Sequence, residues 1–159
     1  MGAVEGYEMM ATLQTRPYAL LPGERQSPQP WGVRISIKAA SEQTGGAFNL
    51  FEICCPPGYT TPLHIHYAED VAVYVLEGTL TFFWGNEPKA AVGGSYFFQP
   101  RGTPHGFRVE GCAPARFLYL TFPAGLDRLV AAQELYASHS ESAAAAARHK
   151  IEILGPLHT

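Results

Sequence analysis

Between Trp31 and Phe122 the chain is written as short apolar or alternating runs, each closed by turn-forming residues. The runs are WGVRISIKA, AFNLFEICC, VAVYVLEG, LTFFWG, SYFFQP, HGFRVEG and ARFLYLTF. Between them fall Gly45-Gly46, Pro56-Pro57-Gly58, Gly85-Asn86, Gly93-Gly94, Arg101-Gly102 and Gly111. Successive side chains of a strand point to opposite faces, so seven or more such strands predict an all-β sandwich or barrel. After Pro123 the period changes. Leu126, Leu129, Val130 and Tyr136 fall on helical spacing, and SHSE at 138–141 resembles a capping box before five alanines. Two helices are expected on the outside of the barrel. Residues 1–30, with Pro17, Pro22, Pro28 and Pro30, predict an arm that wraps its own or a partner's surface, or else stays disordered. The expected organisation is therefore an arm (1–30), a β-barrel (31–123) and a helical tail (124–159).

Composition narrows the classes of function. A chain of 159 residues, 47% hydrophobic and 16% charged, suits one domain with one core. The net charge of −3, with no run of Lys or Arg, argues against nucleic acid as a partner. No stretch reaches the ~18 apolar residues of a membrane span, and MGAVEGYEMM lacks the basic start and apolar core of a secretion signal. A soluble cytoplasmic protein is the expectation. Three cysteines, two of them adjacent (Cys54 and Cys55) and one alone (Cys112), read as reduced thiols filling small spaces.

The candidate chemistry lies in histidine spacing. His64 and His66 stand two apart on an expected strand, on one face of it, and His105 follows the turn PRGTP. Neutral imidazole is a common ligand of zinc and first-row metals, so three rings delivered to one side of a barrel predict a shared divalent ion. The plainer alternative is histidines that fill the barrel and hydrogen-bond to neighbours. His139, His149 and His158 have no motif spacing and read as solvated.

These residues resemble the cupin family. Its first motif, G-x5-H-x-H-x3,4-E-x6-G, is matched at Gly58, His64, His66 and Gly78, with Val71 at the glutamate position. Its second, G-x5-P-x-G-x2-H-x3-N, is matched at Gly94, Pro100, Gly102 and His105, with Val109 for asparagine. The flanks LFEICCPPG, ARFLYLTFPAGLDRL and IEILGPL resemble small single-domain, quercetin-dioxygenase-like cupins. The resemblance implies an antiparallel jelly-roll barrel, a metal at its centre held by His64, His66 and His105, and a homodimer. Iron(II) is the first expectation for the ion, with Ni, Mn, Co or Zn as alternatives.

Val71 shapes what such a site would do. Three neutral histidines leave a divalent ion near its full charge of about +2, which favours anionic, chelating ligands. Glu69 shares the parity of Val71 and has the reach to bend inward, as a ligand or catalytic base, whereas Asp70 points outward unless a bulge shifts the register. Both would otherwise be solvated at the strand's start. Arg101 reads as a surface turn residue. Phe82, Phe83, Trp84, Tyr96, Phe97, Phe98, Phe107, Phe117 and Tyr119 either line a cavity for a flat substrate or simply pack the core. Three functions from different classes follow. One is a metal-dependent, dioxygenase-like oxidoreductase acting on a small phenolic, enol or thiol substrate. Another is a zinc-dependent cyclase or isomerase of a polyketide-like substrate, and the third a non-catalytic small-molecule-binding barrel.

Overall fold

The computed structural model describes residues 15–132 and 139–157. Eleven strands appear in the order β1 (Gln26–Pro28), β2 (Arg34–Ala39), β3 (Asn49–Cys55), β4 (Leu63–His66), β5 (Asp70–Glu77), β6 (Thr79–Trp84), β7 (Glu87–Val92), β8 (Tyr96–Gln99), β9 (His105–Val109), β10 (Ala115–Phe122) and β11 (Ile151–Gly155). Two helices, α1 (Asp127–Ala131) and α2 (His139–Arg148), lie between β10 and β11. The strands form two antiparallel sheets, ordered β1-β2-β3-β10-β5-β8 and β11-β4-β9-β6-β7. This is the jelly-roll barrel expected from the sequence.

The alternation that predicts the strands also builds the core. Phe51, Tyr119, Val73 and Phe97 stand in register across β3, β10, β5 and β8, and Ile53, Phe117 and Val75 form the next row. From the opposite sheet come Leu80, Phe82, Phe107 and Val109, all buried. Phe82 stacks on Phe97 at 4.3 Å between ring centres, and Phe107 meets Phe117 edge-on at 5.3 Å. Each such side chain contributes roughly 1.5–3 kcal/mol by leaving water. Gly78, between β5 and β6, is required by shape. A Cβ there would sit 2.7 Å from Ala115 Cα and Pro114 O, at a φ of +90° that side chains rarely adopt.

Three strands were not expected. β1 falls in the proline-bearing arm and pairs with β2, β7 is exposed except at Ala91, and β11 pairs with β4 inside the segment expected to be a helical tail. Each lies at the edge of a sheet. Edge strands are held by backbone hydrogen bonds on one side and need little apolar alternation to form.

Buried polar groups attach the tail. Asn49, fully buried, accepts from the amides of Gly125 (2.9 Å) and Asp127 (3.2 Å), and Asp127 accepts from the Ser41 amide and hydroxyl. These contacts seat α1, whose Leu129 and Val130 are buried in the core. Tyr136 and Ser138, expected in the helical pattern and its cap, lie outside the described residues, as does residue 1–14 of the arm. No helix among the described residues is long and apolar enough to cross a membrane. All three cysteines are free, and burial, with Cys54 beside it, pushes the Cys55 thiol up, so that it remains protonated.

Candidate metal centre

β4, β9 and β6 bring the histidines together. His64 on β4 pairs with His105 on β9, and His66 follows two residues on with the same facing. Gly106 allows this close approach, because a Cβ there would meet Leu157 at 2.8 Å and Pro62 O at 3.0 Å. Ring centres are 4.4 Å apart for His64 and His105, 5.1 Å for His64 and His66, and 5.3 Å for His66 and His105. The three candidate ligand nitrogens all lie within 4.8 Å of one another.

Hydrogen bonds at the opposite ring nitrogens fix how the rings are used. Nδ1 of His64 lies 2.8 Å from Pro62 O, and Nδ1 of His105 lies 2.9 Å from Thr103 O. Carbonyl oxygens only accept, so both Nδ1 atoms carry the proton and each Nε2 keeps its lone pair. Nδ1 of His66 donates in the same way to Glu69 Oε1 at 2.7 Å. The buried Nε2 of His105 has no partner among the described residues. Three oriented lone pairs with oxygen-anchored ring backs are the donor set that a divalent metal takes, commonly at ~2.0–2.1 Å for zinc. The residues fit the ion.

Electrostatics keeps His64 and His105 neutral. Burial, then the neighbouring His105 and His66, lowers the pKa of His64 well below that of free imidazole, against a small opposing effect of the Pro62 bond. Burial and His66 lower that of His105 to about 4. With metal removed by a chelator, the folded state therefore refuses a proton at His105 that the unfolded chain binds below pH ~6.5. Stability is then full above pH ~6.5 and declines as pH falls toward about 4. This ring alone should remove about 3 kcal/mol over that window. Urea titration of chelated protein at several pH values checks it; a flat profile would contradict the burial of His105.

Glu69 is buried and does turn inward. It stops at the back of His66, however, and is not one of the groups that converge. Asp70 points outward and holds Arg101 through its side chain and amide, which keeps the Asp70 carboxyl below its usual range. Val71 is buried in the core, opposite Thr121 on β10 and Gln99 on β8. Of the aromatics, Phe82, Phe107 and Tyr119 line the cavity while Tyr96 and Phe98 are exposed.

A cavity of about 80 Å³ lies over the histidines. Its lining comes from the barrel together with Leu126, Leu129 and Val130 of the α1 region, Ala146 of α2 and Ile151 and Ile153 of β11. The Tyr119 hydroxyl sits 3.4 Å from His66 Nε2. Sequence spacing had no means of showing Gln99, Tyr119 or the helical part of the lining as a group; they meet only through sheet register.

Two facing antiparallel sheets around three inward imidazoles define a small barrel with a histidine centre. A cupin domain model matches residues 51–121, so this segment, which carries all three histidines, is similar to a cupin domain. It is 30% identical over 95 residues to quercetin 2,3-dioxygenase of Bacillus subtilis (strain 168), an alignment covering 59% of this chain and 28% of that protein. An uncharacterized protein of Methanocaldococcus jannaschii is 32% identical over 75 residues, 47% of this chain and 60% of the other. The chain thus spans less than two thirds of either relative. Among solved structures, KdgF from Halomonas sp. superposes with a TM-score of 0.64 at 19% identity, covering 72% of this chain and all of that one. The polyketide cyclase RemF from Streptomyces resistomycificus gives 0.60 at 23% identity, with 69% and 81% covered. At these identities the likeness of the solved structures is one of fold.

Proposed function

We propose that the protein is a metal-dependent, dioxygenase-like cupin that binds one divalent ion, iron(II) first, through His64, His66 and His105. Its substrate is a small chelating phenol, enol or thiol. The observation that carries this is the anchoring of all three Nδ1 atoms by oxygen, which leaves three Nε2 lone pairs for one ion. The partial match to a quercetin 2,3-dioxygenase supports the same chemistry. When bound, iron supplies a Lewis-acidic, redox-active centre.

The chain's own residues do the rest. Glu69 holds His66 in one tautomer and offsets part of the charge that Val71 leaves uncompensated. It is a positioning residue. The Tyr119 hydroxyl lies near enough to hold a proton beside that centre, and Leu126, Leu129 and Val130 line the cavity with apolar surface that excludes water. Among the described residues no carboxylate joins the three rings, so the substrate would enter as its anion.

Purified without added metal, the protein should carry about one divalent ion per chain. It should consume a catechol or flavonol only when oxygen is present. Absence of metal from such preparations would defeat the proposal. A second reading, zinc acting on a carbonyl to promote cyclisation or isomerisation, is favoured by the lack of a carboxylate at position 71 to take a substrate proton. Turnover that persists with zinc and without oxygen would select it.

A further inference from the structure

Gln99, the last residue of β8, is 1% exposed, yet among the described residues neither its Oε1 nor its Nε2 has a hydrogen-bond partner. It shares the cavity wall with His64, His66 and His105. Register explains the placement. Gln99 stands opposite Val71 on the inner face, one strand away from the position at which the cupin pattern carries its acid. Thr121, opposite Val71 on the other side, is fully buried with an unpartnered hydroxyl as well.

A buried amide that pairs with nothing opposes folding, since both ends give up water without return. An apolar residue of the same length would fill the place at no such cost. The remaining cavity offers few competing polar groups, because Thr61 is already engaged with the backbone of Phe107. Unsatisfied buried groups in a cavity wall call for a ligand, or water, as the missing partner. An amide carries its acceptor and its donor side by side, so it is fully satisfied by a group that carries the complementary pair on neighbouring atoms.

We propose that Gln99 is the specificity-determining residue of this cavity, hydrogen-bonding a ligand headgroup that bears a donor and an acceptor on neighbouring atoms, as in hydroxamates, carboxamides and hydroxy-ketones. The proposal rests on the metal reading above, with the three histidines holding the ion that faces the same headgroup. A ligand that only accepts would use at most the Nε2 half of the amide and gain less. Sites built this way discriminate strongly, because an analogue without the pair leaves the buried amide unpaired.

The test compares zinc-loaded wild type with Gln99→Met, a variant of similar length without polar atoms, by calorimetric titration with acetohydroxamate and with azide. Acetohydroxamate places an N–H beside an oxygen; azide only accepts. Gln99→Met should keep its zinc and melt at or above the wild-type temperature. It should bind acetohydroxamate about 10-fold or more weakly, and azide within about 3-fold of wild type. Equal effects on both probes, or none, would overturn the proposal. So would failure of zinc-loaded wild type to bind acetohydroxamate. Loss of zinc from Gln99→Met would mean the amide serves the ion, and a lower melting temperature would mean it serves the fold; either result overturns it. Wild type that takes up no zinc sinks the metal reading and this inference together, whereas normal uptake with unaltered hydroxamate affinity in the variant sinks this inference alone.

Discussion

His105→Ala is expected to abolish metal binding, with a fall in affinity of more than ~100-fold, since altering an outer-shell partner alone typically costs 10–100-fold. His105 is the ring to remove because it is 5% exposed, pairs across the sheet with His64 and leaves its Nε2 without a partner among the described residues. In chelator the variant should lose about 1–3 kcal/mol, because truncating the ring leaves a cavity and Thr103 O without its donor even as it removes the unsatisfied Nε2. With metal present the two should separate further. Wild type gains about 4 kcal/mol when free metal is ~1,000 times its dissociation constant, and the variant gains none. Thermal unfolding with and without metal, beside elemental analysis, reads both. Full metal content in His105→Ala would remove the basis of the centre.

Val71→Glu should act in opposite directions on the two forms. Val71 is 1% exposed and faces the interior between Thr121 and Gln99. Without metal, a carboxylate there must be protonated or remain buried and unpaired, and should destabilise the fold by about 3–5 kcal/mol. With metal, the same group adds a charged donor to three neutral ones and should tighten divalent binding by about 10-fold or more. The gap in melting temperature between the two forms therefore widens. Unchanged affinity in a folded variant would show that position 71 does not face the ion.

The centre of the fold was legible because its strands bury one face. Runs such as LTFFWG and ARFLYLTF alternate with the pleat, and His64 and His66 inherit their common direction from the same rule. The β1, β7 and β11 strands were not legible. At a sheet edge, pairing depends on a neighbour's backbone, and EPKAAV offers only Ala91 to the interior. Parity did mark Glu69 as the acid able to turn inward, but the atom it meets is the back of His66, which spacing cannot distinguish from the shared centre. Gln99 was hidden for another reason. It closes the run SYFFQP as a polar residue with no motif of its own, and only the β5–β8 register shows that it stands beside Val71.

The segment that matches the cupin domain ends at residue 121, before α1, α2 and β11 begin. The shared portion therefore carries the three histidines, while part of the cavity lining, from Leu126 to Ile153, is built from chain outside that portion. A barrel of this kind can change the shape of its cavity by exchanging that outer chain, leaving the imidazoles undisturbed. The β11 strand complicates such an exchange, since it also braces the strand that carries two of those imidazoles. Cavity lining and histidine strand are thus mechanically joined at a single seam.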